Sequence, residues 1–280
     1  MRNPACGFVV SLLAFVFLVG ATGAARAEGF DHSPWDRVLK RFVTETSRVD
    51  YAALKADSAD LDRYIAQIAG RSPVSHPQDF PTREAQLAYW INAYNALVMK
   101  GVIEKWPVKS VRDIGRIPYG FFVLKKFVAG GRKYTLNGIE DILRRQLGEP
   151  RIHFAINCAS NSCPRLQREA YAAGNIERLL EEAARFFVNE PRNLRIDAPR
   201  NRVTVARIYT FYRGDFEAYA RAKYPAGTGQ PLLDYIRLFA NSENRAALDA
   251  LKRPSVEGFD YDWGINDISA PVATEKFATK

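Results

Sequence analysis

Thr82 to Trp106 constrains the fold most, because it reads as one long helix with a broad apolar stripe. Leu87, Trp90, Ile91, Tyr94, Leu97 and Val98 recur at the i, i+3, i+4, i+7 spacing of a buried helical face. Thr82 suits the N-cap, and Gly101 stands near the end, before Pro107. Asn92 and Asn95 sit in the middle of the stripe. Asparagine is a mediocre helix former that competes for backbone hydrogen bonds, so two of them among large apolar residues need partners. They would fix a neighbouring loop or orient a catalytic group.

The remaining elements mix helices with hairpins. Residues 34–70 read as helical, with Trp35, Val38, Leu39 and Phe42 and then Leu61, Tyr64, Ile65 and Ile68 in helical register. Gly70 to Pro81 is a proline-containing loop. Phe121 to Val128 and Arg132 to Leu136 flank Ala129-Gly130-Gly131 and predict a hairpin. Asn137 to Leu147 predicts a helix with Asn137 and Glu140 spaced as a capping box, stopped at Gly148. Ile152 to Asn157 predicts a short interior strand, and Asn175 to Asn189 an amphipathic helix. Leu194 to Asp197 and Arg202 to Val205 predict a second hairpin. Helices are expected over 214–223, 230–240 and 243–252, and an extended tail over Val256 to Ile268. Hairpins without regular βαβ alternation argue for an α+β fold, a small antiparallel or mixed sheet packed by several helices in a single domain.

The amino-terminus reads as a leader. Arg2 precedes an uncharged apolar run from Phe8 to Val19, and Ala25-Arg26-Ala27 fits a small-x-small cleavage pattern. The run is short for a membrane span, which needs roughly 20 residues. The expected organisation is a signal peptide over 1–27, a helical segment over 28–80, a main domain over 81–268 and a tail over 269–280, in a periplasmic or secreted protein without a transmembrane span. Formal charge is +9, and the leader arginines Arg2 and Arg26 account for two of it. Such a charge suits nucleic acid in the cytosol, but export points to a cell-envelope polymer or peptide, and nucleic acid is not an expected partner. No Walker loop, dinucleotide fingerprint or Gly-x-Ser-x-Gly elbow occurs, so neither nucleotide nor other cofactor is expected.

Chemistry concentrates between Arg151 and Pro164, which hold His153 and both cysteines outside the leader, Cys158 and Cys163. One expectation is a cysteine hydrolase or transferase: Cys158 as nucleophile, His153 as base, Asn92 or Asn95 orienting the imidazole, and turn amides forming an oxyanion hole. Positions five apart on a strand point to opposite faces, so Cys158 and His153 meet only if the chain turns near Asn157. A second expectation is a Cys158–Cys163 disulfide in a non-catalytic binding module, its small ring worth less than the roughly 3 kcal/mol of a 15-residue loop. A redox role is a variant of it. A third is metal ligation by His153, Cys158 and Cys163, although their spacing matches no standard zinc pattern and no metal is expected. His32 and His76 are expected in solvent. Asp113, Glu140, Asp141 and Asp215 have surface solvation or capping as their default, and Tyr209, Phe211 and Tyr212 have core packing.

Ala88-Tyr-Trp-Ile-Asn-Ala-Tyr-Asn-Ala-Leu97 resembles the signature helix of the family named domain of unknown function 547, and Arg151 to Leu166 resembles its central motif. Val49-Asp50-Tyr51, Ile208 to Tyr212 with Asp215-Phe216, and Tyr261 to Asn266 resemble its flanking elements. The resemblance implies a shared fold built around these motifs and supplies neither a reaction nor catalytic residues. A core helix followed by strands carrying histidine is also similar in outline to papain-like and transglutaminase-like folds, though here asparagines stand where those enzymes carry cysteine.

Overall fold

The computed structural model describes Met1 and residues 29–270. The expected leader and most of the expected tail lie outside the described residues. Helix α1 (Ser33–Phe42) packs on α2 (Tyr51–Ala56) and α3 (Ala59–Gly70), which in turn pack against the long α4 (Arg83–Lys105). Their apolar faces share one core with it, built on Trp35, Tyr64, Tyr89, Trp90 and Leu97. Thr82 caps α4 as expected, its side chain accepting from Ala85 N at 3.2 Å. Gly101 lies within α4 rather than at its end: a side chain there would meet the Phe121 ring at 2.3 Å.

After α4 come a four-residue helix α5 (Gly120–Val123) and the hairpin β1 (Phe127–Ala129) to β2 (Arg132–Tyr134). The hairpin is shorter than predicted because Phe121 to Val123 is helical. Its turn residues Gly130 and Gly131 have φ of 55° and 75°, a left-handed pair that suits glycine. Their N–H groups donate to Ile68 O and Ala69 O, closing the carboxyl end of α3. Helix α6 (Leu136–Asp141) is capped by Thr135, which accepts from Gly138 N at 3.0 Å, so the predicted Asn137–Glu140 capping box does not form. A π-helical turn over Ile142–Gln146 carries the helix toward Gly148.

The predicted strand at 152–157 is absent. Pro150 starts a 3-10 turn over Pro150–Phe154, in which Glu149 caps Arg151 N at 3.1 Å. Helix α7 (Ile176–Asn189) then leads to β3 (Leu194–Asp197) and β4 (Arg202–Val205), paired antiparallel as the predicted hairpin, Leu194 opposite Val205. Helices α8 (Arg207–Phe211), α9 (Arg213–Lys223), α10 (Pro231–Phe239) and α11 (Ser242–Asp249) follow, and β5 (Ser255–Gly258) returns parallel to β4, so the three-stranded sheet is mixed. A second core of Phe154, Phe187, Tyr209, Phe216 and Tyr235 joins α7 to α8, α9 and α10. The fold is α+β, as expected. Among the described residues no helix is long and apolar enough to cross a membrane.

Candidate functional site

The site is assembled on α4 by its two asparagines. Asn95 donates to Ala155 O at 3.0 Å and accepts from Asn157 N at 2.8 Å. Asn92 donates to Tyr171 O at 2.7 Å and accepts from Tyr171 N at 3.1 Å. Each side chain therefore replaces a strand partner for a segment that has none, and the chain turns there. Asn157 continues the device: its amide donates to Pro164 O at 2.8 Å, and its oxygen accepts from Ala159 N at 2.7 Å. Ala159 takes φ 65°, and the loop is closed by a disulfide between Cys158 and Cys163. The carboxyl-terminal segment clamps the loop, with Asn161 N donating to Gly264 O and Asn266 N to Ala159 O.

His153 sits at the end of the 3-10 turn with its side chain only 1% exposed. Its Nε2 lies 2.8 Å from Asp215 Oδ2, and the ionised carboxylate makes Nε2 the protonated nitrogen. Arg144 holds the same carboxylate through Nε at 2.6 Å and Nη2 at 3.2 Å. Tyr212 stacks on the imidazole at 4.0 Å, and the Arg144 guanidinium lies 4.6 Å from the Tyr212 ring centroid. Burial pushes the imidazole pKa down, and the Asp215 hydrogen bond and charge oppose that without reversing it. Burial alone would raise Asp215, but His153 and Arg144 outweigh it and hold the carboxyl well below its ordinary range.

A cavity of about 260 Å³ opens beside this arrangement. His153, Glu140 and Cys158 line it together with Tyr94, Phe122, Phe211, Tyr212, Tyr261 and Trp263. Burial pushes the Glu140 carboxyl up, against a hydrogen bond from Tyr212 and the charge of Arg144, and among the described residues its Oε1 has no hydrogen-bond partner. The Tyr261 hydroxyl lies 3.5 Å from Cys158 Sγ and 3.4 Å from Cys163 Sγ and accepts from Ser160 Oγ at 3.0 Å. Burial pushes that phenol up to about 12.

The structure thus brings His153 and Cys158 to one cavity but leaves Asn92 and Asn95 outside it. The group that orients His153 is Asp215, and the asparagines fix loops. Asp215 and Glu140 leave their expected surface and capping roles, Phe211 and Tyr212 line the cavity, and Tyr209 packs in the core. His32 also departs from expectation: it is half-buried, its Nδ1 2.7 Å from Tyr64 Oη and 3.1 Å from Asn92 Nδ2. Burial lowers its pKa to about 4. Arg144 carried no sequence signal as a site residue, whereas Asp215, Tyr261 and Trp263 stood in the flanking motifs. Among the described residues no group of three or more His, Cys, Asp or Glu could hold a metal ion, and both thiols proposed as ligands are spent on the disulfide.

Residues 77–188 match the family model described as Protein of unknown function, DUF547. The match spans 112 of the 280 residues and makes this segment similar to the DUF547 family. The matched segment contains α4 with both asparagines, the disulfide loop and His153, while Asp215, Tyr261 and Trp263 lie beyond it. No curated protein matches the chain, and neither does any solved structure. The strand that the outline likeness to papain-like folds needed at His153 is a 3-10 turn.

Proposed function

We propose that this protein is a cell-envelope binding module whose disulfide-pinned loop shapes a pocket for a ring-sized apolar group of a peptide or polymer. The carrying observation is that both thiols are tied to each other while the cavity they border is lined by seven aromatic side chains together with buried Glu140 and His153. A largely apolar concavity with a few convergent polar groups is the usual form of a small-ligand site. At about 260 Å³ it is slightly below the roughly 300–1,000 Å³ of drug-sized pockets, which suits one ring rather than an extended molecule. Neutral His153 and the raised Glu140 carboxyl supply the polar contacts that would orient a hydroxyl or amide on that ring. An oxidising compartment fits a disulfide of this kind and supports export to the periplasm or beyond.

A second reading has one observation in its favour: Cys158 is partly exposed in the same cavity as His153. On reduction its thiol would stand near an imidazole oriented by Asp215, the arrangement a thiol hydrolase needs. In the oxidised protein neither Cys158 nor Cys163 is a free thiolate nucleophile, and among the described residues no hydrogen bond joins the Cys158 and His153 side chains.

One experiment separates the readings. The protein is purified without reductant, alkylated at graded pH and weighed intact, and titrated with phenol, indole and 2-naphthol. The binding reading expects no alkylation of Cys158 or Cys163 before reductant, and saturable one-to-one binding of at least one ring compound, weakened several-fold by Phe211→Ala. Alkylation of Cys158 near pH 6 without reductant would mean a low-pKa free thiol and would overturn this reading in favour of the enzyme. Absence of saturable binding in the oxidised protein would overturn it as well.

A further inference from the structure

The disulfide loop borders a second cavity of different chemistry. It measures about 230 Å³, many times the roughly 10–15 Å³ that one water requires, and Cys163 and Pro164 line both cavities. Its charged lining is Arg48, Arg165, Arg192 and a single carboxylate, Glu190. Glu190 is already saturated: Oε1 accepts from Arg165 Nε at 2.8 Å, and Oε2 from Arg192 Nε at 3.0 Å and Asn193 Nδ2 at 2.9 Å. The lining itself carries three positive charges against one negative, and the Asp262 and Asp267 carboxylates act on Arg48 from outside it.

The guanidiniums are held in place before any ligand arrives. Arg192 donates through Nη1 to Asn161 O at 2.9 Å and through Nη2 to Cys163 O at 3.3 Å, so its position follows the disulfide loop. Arg48 is 8% exposed and hydrogen-bonded to Asn161 Oδ1. Arg165 stacks on Phe186, 3.6 Å from the ring centroid, and among the described residues its Nη groups have no hydrogen-bond partner. Burial and then the like charge of Arg192 lower the Arg48 pKa, while Asp262 and Asp267 act the other way. Gathering like charges in a concavity is unfavourable unless a counter-charge joins them, and the planar guanidinium fork matches the geometry of carboxylate and phosphate.

We infer that this cavity is a binding site for a small oxyanion, a carboxylate or a phosphate, held chiefly by Arg165 and Arg48 and separate from the aromatic pocket. The site is distinct from the function proposed above and does not depend on it.

The test titrates the full oxidised protein by calorimetry with inorganic phosphate and, separately, with acetate, at constant ionic strength set with chloride. Saturable one-to-one binding of either anion is expected, and the tighter of the two identifies the natural group. Arg165→Gln, whose side chain is 37% exposed, is expected to keep the fold and to weaken binding at least tenfold. Arg48→Gln is expected to do the same, and if it fails to fold, Arg165→Gln decides alone. Arg63→Gln removes a charge that is 63% exposed on α3, in a pair with Asp60, and should leave binding unchanged. Equal weakening by Arg63→Gln would mean non-specific charge attraction and would overturn the site, as would the absence of saturation with both anions.

Discussion

Asn92 and Asn95 on α4 differ instructively from His153 and Glu140 beside the cavity. All four are buried polar residues within the same fold. The asparagines have both ends of their amides matched to backbone groups of loops that lack other partners. Glu140 keeps one oxygen unmatched, and the burial of His153 and Glu140 moves their pKa values in the direction that removes charge. Burying a polar group without a partner is unfavourable, so a protein that retains one gains something from it elsewhere. Saturated polar residues therefore read as architecture, and unsaturated, perturbed ones as a site.

The largest expected effect tests the architectural half. Asn95→Ala orphans Ala155 O and the Asn157 N–H in a buried place, at about 1–3 kcal/mol each, so roughly 2–6 kcal/mol in total. In a domain of this size that lowers the melting temperature by roughly 4–24 °C. Differential scanning calorimetry reads it directly, and a loss below about 1 kcal/mol would break the contrast between saturated and unsaturated residues.

A smaller effect concerns the wall between the two cavities. The disulfide closes a ring of sequence separation 5, for which loop-closure entropy predicts about 2 kcal/mol. Replacing both cysteines with serine should lower stability by about that amount in urea unfolding while leaving the far-ultraviolet circular dichroism unchanged. Asn157 and the strand-like contacts to Gly264 and Asn266 keep holding the loop without it. Complete unfolding of the double variant would mean that the bridge, and not the asparagine network, shapes the cavities.

What the sequence made legible was local. The Thr82 cap, the helical stripe of α4 and the β3–β4 hairpin follow from spacing and turn chemistry within a few residues. The segment at 152–157 was misread because an apolar run of six residues has no period that separates a strand from a turn-rich stretch, and Pro150 with the Glu149 cap decided it. Of the site, His153 and the cysteine loop were legible as a cluster of unusual residue types. The assignment of an orienting group failed because His153 and Asp215 are 62 positions apart. Nothing in the sequence near either residue records that pairing. The Arg144 contact to Asp215, across 71 positions, is hidden for the same reason.

The smallest effect is the most specific to the site half. Glu140 has a folded-state pKa above its unfolded value, chiefly because of burial. A carboxyl of that kind favours the folded state below about pH 4.5, where it is protonated in both states, and that advantage is lost as pH rises through the folded pKa. Each unit of elevation corresponds to about 1.4 kcal/mol. Glu140→Gln cannot ionise, so the stability of the natural protein relative to this variant should fall with pH above about 4.5 and level off once the folded carboxyl has ionised. Urea unfolding of both proteins at half-unit steps from pH 4 to pH 8 measures the difference. Other titrating groups are common to the two chains and cancel. A difference that stays flat across this range would mean that Glu140 ionises as an ordinary surface carboxylate, and the division between saturated architecture and an unsaturated site would lose its clearest member. A difference that falls would place an uncharged acid beside His153 at mildly acidic pH, able to donate a hydrogen bond into the aromatic cavity where an ionised carboxylate could only accept one.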